Sequence, residues 1–77
     1  MKFTFWPTDL DFEKNIMYIR KLTLRNPVKY VNVVRDGQAN DCLSCHIRPD
    51  GWFAYTLTDF REVRCDMGEI NKVEIAL

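Results

Sequence analysis

Residues 42–58 read Cys42-Leu43-Ser44-Cys45-His46-Ile47-Arg48-Pro49-Asp50-Gly51-Trp52-Phe53-Ala54-Tyr55-Thr56-Leu57-Thr58. From Cys42 to Arg48 the side chains alternate. Leu43, Cys45 and Ile47 fall on one face and Cys42, Ser44, His46 and Arg48 on the other, the period of two expected of a strand with one buried side. Pro49-Asp50-Gly51 then supplies a turn, the proline pre-setting one dihedral and the glycine accepting a positive one. Trp52–Thr58 is the returning strand of that hairpin.

The same pattern extends outward. Downstream, Glu62–Met67 sets Val63, Cys65 and Met67 against Glu62, Arg64 and Asp66, and Lys72–Leu77 sets Val73, Ile75 and Leu77 against Lys72, Glu74 and Ala76. Upstream, Val28–Arg35 is rich in β-branched residues and runs into the turn signal Asp36-Gly37. Met1–Trp6 alternates Phe3 and Phe5 with Lys2 and Thr4 until Pro7 stops it. Only the stretch between Pro7 and Pro27 departs from a period of two. Thr8, Asp9 and Asp11 suit a helix start, and Phe12, Ile16, Ile19 and Leu22 share one face, with Tyr18 extending the stripe. Glu13, Lys14, Arg20 and Lys21 face away. This spacing predicts a helix over 9–22, ended by Asn26-Pro27 because the residue before proline avoids the helical region. A strand beginning near Ile16 competes with it, since Leu22-Thr23-Leu24-Arg25 also alternates.

The expected fold is one small α+β domain over residues 1–77, with five to six short strands and one N-terminal amphipathic helix. One-faced alternation favours an antiparallel sheet. Either the helix covers its apolar face or the strands curl into a small SH3-like or OB-like barrel.

Composition limits the rest. The 77 residues are 47% hydrophobic and 29% charged, with eleven basic and eleven acidic side chains. That excludes a disordered chain and any span of about 18–20 apolar residues. With no leader-like apolar stretch near Met1, the expected location is cytoplasmic and no membrane partner is expected. Zero net charge argues against non-specific attraction to nucleic acid. The charges are nonetheless uneven: residues 1–35 carry seven basic and three acidic groups, and residues 36–77 four and eight. Arg20, Lys21, Arg25, Lys29 and Arg35 follow one another without an intervening acid.

Cys42-Leu43-Ser44-Cys45-His46, with Cys65, is the one stretch that resembles chemistry. The string CxxCH matches a haem-attachment signature, but attachment belongs to exported chains. A zinc set of Cys42, Cys45, His46 and Cys65 has the right ligand types. Strand alternation opposes it by sending Cys42 and Cys45, and likewise Cys45 and His46, to opposite faces. The reading kept is structural: Cys45 and Cys65 as small core residues, with no metal or cofactor. The same divergence separates a Cys–His dyad, Asp9 and Asp11 read as helix-start residues, and no phosphate-cradling loop is present, so no catalytic residue is assigned.

Ten aromatics exceed what so small a core needs. Phe3, Phe5, Phe12 and Phe53 or Tyr55 have core explanations; Trp6, Tyr30, Trp52 and Phe60 do not. Trp, Tyr and Arg are the residues enriched in binding hot spots. The chain is therefore read as a non-enzymatic protein that binds and modulates another macromolecule, foremost a protein with an acidic surface, in the manner of inhibitors, immunity proteins or phage- and plasmid-encoded modulators. The contact is assigned to the hairpin residues Arg48, Asp50 and Trp52 and to Arg20, Lys21, Arg25, Lys29, Tyr30 and Arg35. The alternatives are a nucleic-acid-binding barrel using the basic 20–35 region and a zinc-stabilised adaptor. An open sheet edge also offers pairing of two copies into a homodimer.

Overall fold

The structure, a computed structural model, describes residues 1–77 as one helix and six strands. The elements are β1 (Lys2–Phe5), α1 (Phe12–Arg25), β2 (Tyr30–Arg35), β3 (Gln38–Ile47), β4 (Phe53–Leu57), β5 (Glu62–Cys65), a one-turn 3-10 helix (Met67–Glu69) and β6 (Ile70–Ala76). The strands form a single sheet in the order β1-β6-β2-β3-β4-β5, every neighbouring pair antiparallel. The expected α+β class with an antiparallel sheet is therefore present. The sheet is open, with β1 and β5 as its edges, and no strand pairing closes it into a barrel.

Local chemistry accounts for the turns. Asp36 and Gly37 both have positive φ, 48° and 78°, the type I′ geometry whose twist matches the flanking strands of a two-residue hairpin. Gly51 takes φ 89° in the β3–β4 turn. Asp66 begins the 3-10 turn with a reciprocal capping box: its side chain accepts from Gly68, and Glu69 accepts from the Asp66 backbone N–H.

The helix begins and ends three residues later than its spacing predicts. A turn from Trp6 to Asp9 holds the preceding segment, with Asp9 N–H donating to the Trp6 carbonyl at 2.9 Å. Asp11 takes the N-cap position, although its side chain makes no capping bond. Leu22-Thr23-Leu24-Arg25 is helical, not a strand, and Pro27 lies just past the C-cap Asn26. Phe12, Ile16 and Ile19 are buried, as their shared face requires, but Tyr18 is exposed and does not extend the stripe.

The helix lies along β3: Thr23 Oγ1 meets Ser44 Oγ at 2.8 Å, and the Phe12 ring stacks on Phe53 with centroids 6.4 Å apart. These helix residues join Val31, Val33, Cys42, Cys45, Phe53, Tyr55, Cys65, Ile70, Val73 and Ile75 in one core. Phe53, Ala54 and Tyr55 are buried in succession, as are Val73 to Ala76. Consecutive residues of a strand face opposite ways, so β4 and β6 are covered on both sides.

Alternation fails at one place in β3. Cys42 pairs with Leu57 but Ser44 with Thr56, so Leu43 is an extra residue in a β-bulge. The bulge turns Cys42 into the core at 6% exposure and leaves Leu43 at 40%, the reverse of the expectation that Leu43, Cys45 and Ile47 face inward together. Phe3 and Leu77 are also more exposed than expected, Phe3 because β1 is an edge strand.

Candidate functional site

The sheet's register places Arg48 and Trp52 together at the β3–β4 turn. Arg48 N–H donates to the Trp52 carbonyl at 2.8 Å and Gly51 N–H to the Arg48 carbonyl at 2.9 Å. Asp50 braces the tip from within: its Oδ1 accepts from Trp52 N–H at 3.1 Å and its Oδ2 from Arg48 Nε at 3.2 Å. These bonds, the Trp52 backbone donor first, hold the Asp50 carboxyl below its usual range. Arg48 also reaches Glu62 at 3.7 Å, and Glu62 in turn holds Arg64 at 3.1 Å. Trp52, 51% exposed, thus stands on a fixed base, with little loop freedom left to lose on contact.

The basic run separates into two groups. Arg35 turns inward: its Nη1 donates to Tyr55 Oη at 3.3 Å and its Nη2 to Glu69 at 2.9 Å, which raises its pKa further above the ordinary arginine value. The link ties the end of β2 to the middle of β4. By contrast, Arg20, Lys21, Arg25 and Lys29 are exposed, and Tyr30 is 37% exposed beside them.

Seven ion pairs engage Lys2, Arg35, Arg48, Arg61, Arg64 and Lys72. The five basic residues outside them are Lys14, Arg20, Lys21, Arg25 and Lys29, all on α1 or in the segment that follows it. On a wheel of 100° per residue, Lys14, Lys21 and Arg25 share the solvent face of α1. The same face carries Met17, Tyr18 and Leu24, exposed at 58%, 58% and 75%. The sequence placed Tyr18 on the buried stripe, and Met17 and Leu24 drew no notice, although they stand seven apart on the side opposite Phe12 and Ile19, a spacing that marks an exposed stripe.

Between α1 and the hairpin lies a crevice of about 350 Å³, walled by Met17 and Arg20 on one side and His46 and Arg48 on the other. It joins the helix face to the hairpin tip.

A second constellation lies around β6. Glu74, nearly buried, holds Lys2 at 3.0 Å and Lys72 at 2.9 Å, and Lys72 Nζ sits 5.6 Å from the Trp6 ring centre. Those bonds, that to Lys72 first, keep the Glu74 carboxyl below its usual range. Both cations are engaged by the one carboxylate, and the group ties β1 to β6, so it reads as a support of the sheet.

The cysteine set does not assemble into a metal site. Cys42 Sγ donates to the Asn40 carbonyl at 3.2 Å, Cys45 and Cys65 lie in the core, and no three His, Cys, Asp or Glu side chains are grouped to hold an ion. Burial pushes the Cys42 thiol up to about 11 and the Cys45 thiol to about 12, and raises Cys65 as well. Such thiols are poor nucleophiles at neutral pH. No helix is long and apolar enough to cross a membrane.

Comparison of the chain with protein-family models, with curated proteins and with solved structures returns no match.

Proposed function

We propose that this protein works by binding another protein, through the solvent face of α1 and the adjoining β3–β4 hairpin, without catalysis of its own. One observation carries the reading. The cations outside every ion pair all lie on α1 and the segment after it, interleaved with exposed Met17, Tyr18 and Leu24, whereas the other six are matched to acids. A merely solvated helix face has no need of exposed methionine and leucine at helical spacing, and exposed apolar side chains among charges of one sign fit a contact surface. The partner's complementary patch is acidic, and the on-rate gains from steering between the two. Trp52 and Arg48 are the anchors at the hairpin end, being the residue types that dominate contact energies. A binder of this size acts by occupying its partner's surface, as inhibitors and immunity proteins do. Its proposed compartment is the cytoplasm, where three free thiols stay reduced.

The test compares baits in one lysate of the source cells, with bound proteins identified by mass spectrometry. The expected result is a protein captured by the native chain, lost with Met17→Glu/Leu24→Glu and with Trp52→Ala/Arg48→Ala, and retained with Arg61→Ala on the far loop. Capture that survives both double variants overturns the reading. The same cations can grip phosphates, so binding to single- or double-stranded DNA or RNA at low salt, steeply weakened by added salt, would assign the surface to nucleic acid instead.

A further inference from the structure

The crevice between α1 and the hairpin brings together side chains that the contact surface alone does not require. Arg20 enters it from the helix and takes part in none of the seven ion pairs. Arg48 faces it from the end of β3, its Nε held by Asp50 and its Nη1 by Glu62, while Nη2 takes part in neither contact. His46 stands between them, part-buried, and shares a cross-strand row with Ala54 and Arg64. Burial and the Arg20 charge, with a smaller push from Arg48, hold the imidazole below its ordinary pKa, and Glu62 pulls the other way. Glu13 is the one acid lining the crevice itself. With His46 protonated, its surroundings carry Arg20, Arg48, Arg64 and the imidazolium against Glu13, Asp50 and Glu62, an excess of one positive charge.

We propose that this crevice receives a carboxylate side chain of the acidic partner, held between Arg20, Arg48 and His46, and that protonation of His46 tightens the grip. The inference rests on the protein-binding reading and names what that surface recognises. Guanidinium groups match the planar carboxylate, and Met17, Ile47 and Pro49 line the space with apolar surface that strengthens the attraction relative to open water. A carboxylate seated there favours the imidazolium, and by reciprocity the imidazolium favours the carboxylate.

His46 is the chain's single histidine, so its ring protons report on the crevice without assignment. The probe is an acetylated, amidated tetraglutamate peptide, titrated by NMR at fixed ionic strength between about pH 5.5 and 8, where glutamate stays ionised. The expected result is a His46 pKa raised by the peptide and an affinity several-fold tighter at the acid end. Arg20→Gln, at an exposed position that leaves the fold intact, should abolish the shift, whereas Arg61→Gln, the same charge change on the far β4–β5 loop, should preserve it. An unmoved pKa in the native protein, an equal shift in Arg20→Gln, or loss of the shift in Arg61→Gln overturns the proposal. A larger shift with a single-stranded oligonucleotide of equal charge does so too, by assigning the crevice to phosphate. If helix-face variants lose partner capture while the peptide leaves His46 unmoved, the crevice inference fails and the protein-binding reading stands.

Discussion

Phe60 occupies φ 69° in the β4–β5 loop and is 81% exposed. A bulky side chain in the left-handed region carries strain of about 1–3 kcal/mol, and asparagine tolerates the same geometry far better. Phe60→Asn should therefore raise the thermal midpoint, by about 4–8 °C for each kcal/mol relieved in a domain of this size. A midpoint unchanged or lowered in a calorimetric scan would show that the ring contributes packing that outweighs the strain. The buried thiols make a second prediction at this scale. In the unfolded chain a cysteine ionises near pH ~8.5, but in the fold Cys42 does so at about 11 and Cys45 at about 12. Below the unfolded value both states are protonated and the thiols leave stability unaffected. As pH rises above it, the unfolded state alone releases protons, and stability falls by up to about 1.4 kcal/mol per pH unit for each thiol. Urea melts from pH 8 to about 10.5 should show the decline, smaller in Cys42→Ala.

At the scale of the element, the bulge in β3 decides which residues may be polar. Leu43→Ser should cost less than about 0.5 kcal/mol because its side chain already meets water. Cys45→Ser, at 1% exposure, should cost about 1–3 kcal/mol for burying a hydroxyl in an apolar site. Equilibrium denaturation of both variants checks this, and the opposite ranking would mean that strict alternation holds after all. The bulge also marks where the sequence stops being legible. Alternation from Cys45 to Ile47, the turn at Asp36-Gly37 and the Pro49-Asp50-Gly51 hairpin all carry their geometry in local residue chemistry. An inserted residue leaves no such mark, because Leu43 suits a buried position as well as Cys42 does, and only the pairing with Leu57 and Thr56 reveals the slip. The candidate site divides in the same manner. The exposure of Trp52, Tyr30 and the basic residues of α1 follows from their position at a turn, at the start of a strand and on the polar side of the helix. The withdrawal of Arg35 into contact with Tyr55 and Glu69, 20 and 34 residues away, depends on partners that no local pattern names.

Across the whole molecule, the backbone ladders join all six strands in one sheet, and Arg35 adds a side-chain link from β2 over β3 to β4. A double-mutant cycle of Arg35→Met and Tyr55→Phe should give a coupling of about 0.5–1.5 kcal/mol, the range of an ordinary intramolecular hydrogen bond, because at 3.3 Å this one is long for a charged donor. Additivity within error would show that this side-chain link adds nothing to the backbone ladders and the apolar core. The order β1-β6-β2 has a separate consequence. β1 and β2 each pair antiparallel with β6, so they run parallel to each other with α1 as the crossover, yet neither touches the other. The strand that joins them is the last of the six in chain order. Until Ile70–Ala76 is available, β1 has no neighbour to dock on, and the helix is tethered to a segment without a place in the sheet. A chain halted before β6 therefore keeps the β2–β5 meander as its only complete set of pairings, and β1 finds its place only after β6 has been made.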